Sequence, residues 1–268
     1  MFPPALVPPP FAAGSVWLVG AGPGDPGLLT LHALHALEQA EIILHDALVL
    51  EEILSLAPRA RLEPAGKRAG GERTPQLRIN QRLITLARQG NRVVRLKGGD
   101  PLIFGRGAEE ALALAAAGIP FRIVPGISAG IGGTAAAGIP LTHRGVARNV
   151  TFATGHDFTG NSPDLDRISL SDVLVLYMAG GHLGTIAARL LEAGRDPADA
   201  VALIQDATRP EQSVTITTLA KAANQSASIS PVLIVIGPVV ALRDHLMAWQ
   251  QTSPMTIVHD RQQARIAG

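Results

Sequence analysis

The chain has 268 residues, 47% of them hydrophobic and 17% charged, with a net charge of +1, no cysteine, and only six Phe, two Trp and one Tyr. That is apolar material for two packed lobes rather than a disordered chain, since single cores stop growing at roughly 250–300 residues. Near-neutral charge and scarce aromatics disfavour a nucleic-acid-binding face. The lack of cysteine excludes disulfides, thiolate nucleophiles and Cys-ligated metals, and fits a reducing cytoplasm.

Residues 1–14 begin Met1-Phe2-Pro3-Pro4-Ala5-Leu6-Val7-Pro8-Pro9-Pro10, without the basic start and unbroken apolar core of a signal peptide, and read as a disordered leader. Val16-Trp17-Leu18-Val19 reads as a first strand. It runs into Gly20-Ala21-Gly22-Pro23-Gly24-Asp25-Pro26-Gly27 and then a helical pattern of Leu28, Leu31, Leu34 and Leu37. This resembles a dinucleotide fingerprint, but Pro23 and Pro26 stiffen the loop and move the helix start away from it, which a pyrophosphate cradle does not want. Asp46, after the strand Ile42-Ile43-Leu44-His45, is not placed as a clear ribose partner and is a candidate for a different job.

A short helix is expected over 48–56 and a strand at Arg61-Leu62-Glu63. Gly66-Lys67-Arg68-Ala69-Gly70-Gly71 then forms a basic, flexible loop able to swing over a crevice. Residues 76–89 are helical in pattern, with Ile79, Leu83 and Leu86 on one face and Arg78, Arg82 and Arg88 on a solvated one.

The stretch from Val93 to Gly107 organises the rest. Val93, Val94 and Leu96 make a buried strand, and Gly98-Gly99-Asp100-Pro101 must leave the sheet sharply. Two glycines let main chain approach a ligand that a Cβ would block, and Asp100 puts a carboxylate at the strand's carboxyl end, the rim where open α/β sheets bind ligands. A tight turn with a capping aspartate is the competing account. A helix follows over 109–117, ended by Gly118, and Phe121-Arg122-Ile123-Val124 is the fifth strand of this half. The uncharged run 123–142 is too rich in Gly and small residues for a membrane span and reads as a loop-and-helix crossing.

Five more strands are expected at Val150-Thr151-Phe152-Ala153-Thr154, Val173-Leu174-Val175-Leu176-Tyr177-Met178, Val201-Ala202-Leu203-Ile204, Ser213-Val214-Thr215-Ile216-Thr217 and Val232-Leu233-Ile234-Val235-Ile236. Helices fall at 183–192, 219–224 and 239–249. The short gap between the third and fourth of these strands predicts an antiparallel pair. The expected fold class is therefore α/β, with lobes at 15–127 and 149–252, a connection at 128–148 and a tail at 253–268. Each lobe is expected to hold a mixed, mostly parallel five-stranded sheet flanked by helices, with a cleft between the two.

Taken together, Val19-Gly20-Ala21-Gly22-Pro23-Gly24-Asp25-Pro26, His45-Asp46-Ala47-Leu48-Val49, Gly66-Lys67-Arg68-Ala69-Gly70, the stretch 95–107, Val124-Pro125-Gly126-Ile127 and Ala137-Gly138-Ile139-Pro140-Leu141-Thr142-His143-Arg144-Gly145 resemble the tetrapyrrole (corrin/porphyrin) methylases, in order and over residues 15–245. The Gly-Lys-Arg-Ala-Gly and Thr-His-Arg elements resemble the members that methylate uroporphyrinogen III to precorrin-2, a precursor of cobalamin and siroheme. The resemblance implies S-adenosylmethionine in the inter-lobe cleft, no metal, and a homodimer. Carried over by position, the donor contacts are Pro23, Gly98, Gly99, Asp100, Ile103, Ser128, Ala129, Met178 and Ala207. Taken alone, Met178 on its strand would be core filler. Asp46 is implied as general base and Lys67 as its partner acid, a structural Asp46–Lys67 ion pair being the alternative. Arg68, Arg106, His143 and Arg144, with Arg148 as a further candidate, are expected to meet the substrate's carboxylates. A nicotinamide-dependent dehydrogenase and a non-catalytic tetrapyrrole sensor are the rival classes. Binding of NADH against S-adenosylhomocysteine separates the first, and transfer of a labelled methyl the second.

Overall fold

The computed structural model describes residues 7–65, 75–155, 164–224 and 231–251. The first sheet consists of β1 (Val16–Gly20), β2 (Ile42–His45), β3 (Arg61–Pro64), β4 (Val93–Lys97) and β5 (Phe121–Val124), in spatial order β3-β2-β4-β1-β5. Every pairing is parallel, with Val16 opposite Val93 and Ile42 opposite the same residue. Parallel neighbours need crossovers, and α1 (Leu31–Gln39), α2 (Glu51–Leu54), α3 (Gln76–Arg88) and α4 (Gly107–Ala116) supply helical material between the strands. The helix expected over 48–56 shrinks to the single turn of α2.

Period-two alternation sorts the strand side chains between two apolar layers. Trp17, Val19, Ile43, Val94 and Leu96 pack with Ala33, Leu37 and Ile53 on one face. Val16, Leu18, Ile42, Leu44 and Val93 pack with Leu83, Leu86 and Leu114 of α3 and α4 on the other. By the same alternation, Arg95 and Lys97 belong to the face of Val93, beneath α3 and α4, and both are buried.

The second sheet contains β6 (Val150–Thr154), β7 (Val173–Tyr177), β8 (Ala200–Gln205), β9 (Ser213–Thr218) and β10 (Val232–Ile236), in order β6-β7-β10-β8-β9. The α/β class and the five-plus-five strands match the sequence expectation, but the strand sense does not. Only β6–β7 is parallel, and the other three pairings are antiparallel. The crossover from β7 through α7 (Leu183–Glu192) leaves a gap one strand wide before β8, and β10 returns into that gap running the opposite way. The short β8–β9 connection makes the expected antiparallel pair. Remaining helices are α5 (Ala129–Ala136), α6 (Leu165–Ile168), α8 (Leu219–Ala222) and α9 (Arg243–Gln251). Among the described residues no helix is long and apolar enough to cross a membrane.

Two segments differ from their sequence reading. Residues 7–14 are not a loose leader, because Phe11 is 8% exposed and stacks on Trp17 at 4.5 Å, while Gly14 N donates to Asn91 O at 3.1 Å. Burying Phe11 offsets the entropy of ordering the strap. Arg82 does not stand free on a solvated face of α3: its Nε and Nη2 donate to both oxygens of Glu63 on β3 at 2.9 and 2.8 Å. The uncharged crossing becomes α5, whose buried Gly130, Gly132 and Gly133 let Tyr177, Pro23 and Ala207 approach its backbone.

Candidate functional site

The carboxyl end of the first sheet, and the edge of the second where β7 and β8 end and β10 begins, open on one cleft of about 610 Å³. From the first sheet it is lined by Gly22, Pro23, Asp46, Leu48 and the turn 98–100 with Ile103, Phe104 and Gly105; from the second, by Tyr177, Met178, the 180–182 segment, Ile204, Asp206, Ala207 and Arg209. Ser128 and Ala129, at the start of α5, lie between them. A volume of this size suits a small organic ligand.

The turn after β4 is built from main chain. Gly99 N donates to Gly22 O at 2.7 Å and Gly22 N to Gly99 O at 3.2 Å, so the first glycine loop and the β4 turn are stitched together. Gly99 has φ +65°, a conformation that favours glycine. Asp100 closes the turn: Oδ1 accepts from Leu102 N at 2.8 Å and Oδ2 from Gly126 N at 3.0 Å. Both accounts of this aspartate thus hold together, since it caps the turn and also lines the cleft.

Opposite, Ser128 Oγ shares a 2.6 Å hydrogen bond with Tyr177 Oη, which accepts from Gly130 N at 2.8 Å. Burial pushes the Tyr177 phenol pKa up, against the opposing pull of these two hydrogen bonds. Phe104, from the first-sheet turn, leans on Tyr177 with ring centroids 5.0 Å apart. Among the described residues, the non-glycine positions with positive φ are Phe104, Arg106, Met178, Asp206 and Thr208; each lines the cleft or sits beside a residue that does. Such backbone strain clusters where a ligand must be met in one geometry.

All nine positions expected to hold the donor line this cleft, as does Asp46. Lys67 and Arg68 lie outside the described residues. Among the described residues, the Asp46 carboxylate faces two buried cations: Oδ1 accepts from Arg95 Nη2, and Oδ2 is 3.7 Å from Lys97 Nζ. Arg106, His143 and Arg144 are not among the lining residues. Arg106 turns back along α4 into a two-pronged bond with Glu109 at 2.8 and 2.7 Å. His143 closes an exposed turn on Ala147, Arg144 rides on that turn, and the Arg148 peptide N–H binds Asp172.

Sequence reading missed Tyr177, Phe104, Asp206, Arg209 and the charges beneath Asp46. A usable signal lay in Val93-Val94-Arg95-Leu96-Lys97, which puts two cations on one face of a strand otherwise buried on both sides, where each needs an acidic partner. Arg209 gave no such signal; its Nη2 reaches Leu48 O at 3.3 Å across the cleft, 161 residues away in sequence.

A dinucleotide does not fit the first loop. The glycines are followed by a single 3-10 turn, Pro26–Leu28, and α1 starts only at Leu31, so no helix N-terminus stands behind them to receive a pyrophosphate. A ligand without phosphates fits better: the walls are largely bare main chain and apolar side chains, with Asp46, Asp100 and Asp206 as acidic lining residues and Asp206 paired with Arg209 at 3.3 Å.

Comparison with known proteins agrees with this geometry. The family model for tetrapyrrole (corrin/porphyrin) methylases matches residues 15–223. A uroporphyrinogen-III C-methyltransferase of a Sinorhizobium species is 57% identical over 245 residues, covering 88% of this chain and 87% of the relative. Siroheme synthase 2 of Aeromonas hydrophila is 52% identical over 240 residues, 88% of this chain but 51% of the relative, so the chain spans about half the length of that protein. Among solved structures, the uroporphyrin-III C-methyl transferase of Thermus thermophilus complexed with S-adenyl homocysteine superposes with a TM-score of 0.77 at 39% identity, over 85% of this chain and 99% of that one. With its sheets, its cleft and most of its length accounted for in this way, the chain belongs to the tetrapyrrole methylases.

Proposed function

We propose that the chain is an S-adenosylmethionine-dependent C-methyltransferase that methylates uroporphyrinogen III at ring carbons C2 and C7, giving precorrin-2 by way of precorrin-1. The observation that supports it most is the convergence of Pro23, Gly98, Gly99, Asp100, Ile103, Ser128, Ala129, Met178 and Ala207 on one cleft, in a chain so similar to a methyltransferase of that substrate.

When bound, S-adenosylmethionine supplies an electrophilic methyl group on a sulfonium. The β4 turn offers the donor close main-chain contact, Asp100 and Asp206 offer carboxylates to its charges, and Ile103, Met178 and Ala207 offer apolar walls. Holding the reactants in line supplies most of the acceleration, since effective molarities reach about 10⁵–10⁸ M. A proton then leaves the macrocycle, and Asp46, at the cleft wall and 31% exposed, accepts it. Lys67 acts as the partner acid. Lys67, Arg68, Arg106, His143 and Arg144 meet the carboxylates around the ring, which steers and orients the substrate. The same reading includes a homodimer, expected of the family, and a cytoplasmic location, consistent with a cysteine-free chain.

Anaerobic incubation with uroporphyrinogen III and S-adenosylmethionine, followed by mass analysis, tests it. Two added methyls are expected, with a one-methyl intermediate at early times. An unchanged macrocycle mass, with S-adenosylhomocysteine still bound by the protein, would exclude this substrate.

A further inference from the structure

Beneath Asp46 lies a set of charges that the methyl transfer as described does not use. Arg95 and Lys97 project from β4, the central strand of the first sheet, and their side chains are 2% and 3% exposed. Glu110 comes down from α4 and is 0% exposed. Its Oε1 accepts from Arg95 Nε at 3.0 Å, Lys97 Nζ at 3.3 Å and Gln76 Nε2 at 3.0 Å, while its Oε2 is buried with no hydrogen-bond partner among the described residues. Arg95 is fixed further by Nη1, which donates to Leu44 O at 3.3 Å and Leu96 O at 3.2 Å. With Nε and Nη1 engaged in this way, the remaining nitrogen, Nη2, donates to Asp46 Oδ1.

Packing does not call for this arrangement. The neighbours Val93, Val94 and Leu96 fill the same strand with apolar side chains, and buried ion pairs are often replaced by well-packed hydrophobic residues with no loss of stability. Of the four charged groups only Asp46 reaches the cleft. Oδ1 is tied to Arg95, whereas Oδ2 stands 3.7 Å from Lys97, beyond a hydrogen bond, so Oδ2 is the oxygen with no hydrogen bond from any described residue.

We propose that Arg95 and Lys97, braced from behind by Glu110, are positioning residues that present Asp46 to the substrate with Oδ2 as the proton-accepting oxygen. The inference rests on the reading of Asp46 as the base. Arg95 sets the direction of the carboxylate, and Lys97 lies next to the oxygen that gains the proton. Burial and the nearby Arg95 charge both pull the Lys97 pKa down, against the pull of Asp46 and Glu110, so the ammonium is held only by its two acids. Among the described residues, the other charged or titratable groups bonded to the Asp46 loop are His45, whose Nδ1 is 3.1 Å from Asp46 O, and Arg209 on the Leu48 carbonyl.

The test is a set of double-mutant cycles built on Asp46→Asn, read by single-turnover transfer of a labelled methyl to uroporphyrinogen III and by S-adenosylhomocysteine affinity. Glu110→Gln, Lys97→Met and Arg95→Lys each lower the rate, by about 10–10² fold for a misplaced base, and leave S-adenosylhomocysteine affinity unchanged. In the Asp46→Asn background the same substitutions cause no further loss. Lys97→Met also lowers kcat while leaving KM for uroporphyrinogen III unchanged, because a misplaced base weakens the transition state and not substrate binding. Losses of equal size in both backgrounds, or a raised KM with kcat unchanged, would overturn the proposal and leave a structural role. If Arg95→Lys fails to bind S-adenosylhomocysteine, Glu110→Gln and Lys97→Met carry the same test. Full turnover by Asp46→Asn alone would instead overturn the assignment of the base.

Discussion

Gly20→Ala probes whether the turns after β1, β4 and β5 must meet as bare main chain. A Cβ on Gly20 would lie 2.5 Å from the Gly99 carbonyl oxygen and 2.6 Å from both Cα and N of Gly126, where ordinary contact starts at 3.4 Å. All three obstacles are backbone and cannot rotate aside, so the β4 turn must retreat by about 0.9 Å. Overpacking of this kind costs about 1–3 kcal/mol, offset by about 0.4–1 kcal/mol from the stiffer unfolded chain. A net loss of about 1–2 kcal/mol lowers Tm by about 2–8 °C for a chain of this size. The larger effect falls on the cleft, because a displacement near 1 Å in a site costs about 10²-fold in rate. Gly98→Ala is the contrast: its Cβ meets only Leu48 Cβ, at 3.9 Å, yet Gly98 lines the cleft. Thermal unfolding and calorimetric titration with S-adenosylhomocysteine separate the two. Gly20→Ala loses both stability and affinity, whereas Gly98→Ala keeps its Tm and loses about 10-fold or more in affinity. A Gly20→Ala protein with wild-type Tm and affinity would refute the reasoning.

Phe11→Ala removes a ring stacked on Trp17 and costs about 3 kcal/mol in urea unfolding; no loss would mean that residues 7–14 do not pack. Tyr177→Phe leaves the Gly130 N–H without its acceptor and frees the Ser128 hydroxyl, costing about 1–3 kcal/mol. Because the phenol pKa is raised, the accompanying loss of S-adenosylhomocysteine affinity is the same from about pH 6 to pH 9, and a pH-dependent loss would point to phenolate. The Arg82 hydrogen bonds hold the Glu63 carboxyl below its ordinary 4.5, against the opposing effect of burial. The stabilisation is therefore complete above the ordinary carboxylate range and lost as pH falls through the lowered folded value. Arg82→Met is expected to destabilise by about 0.5–1 kcal/mol at pH 7, the pair being partly exposed, and the gap to wild type closes as pH falls below the ordinary carboxylate range. A gap that persists in acid would assign it to lost packing.

Much of the fold was legible because its signals are short-range. Apolar alternation marks β1, β4 and the second-sheet strands, and the glycine-proline turns mark where the chain leaves them. The sense of β10 was not legible: Val232-Leu233-Ile234-Val235-Ile236 is apolar throughout, and such a strand pairs either way until the β7–α7–β8 crossover leaves a gap for it. Residues 7–14 differ from the disordered reading for a related reason, since their prolines signal disorder locally while the partner of Phe11, Trp17, lies on β1.

By itself the sequence determined the class of strand, helix and turn at nearly every step, and the positions where bare backbone stands at a strand's end, because these depend on residues a few places apart. Only the tertiary structure decided which of those ends meet. Gly99 touches Gly22 and the Asp100 carboxylate binds the Gly126 amide through long closures of the chain. The partners of Arg95 were likewise open, since a buried guanidinium demands some carboxylate, and packing α4 over β4 supplies Glu110 behind it while the end of β2 supplies Asp46 in front.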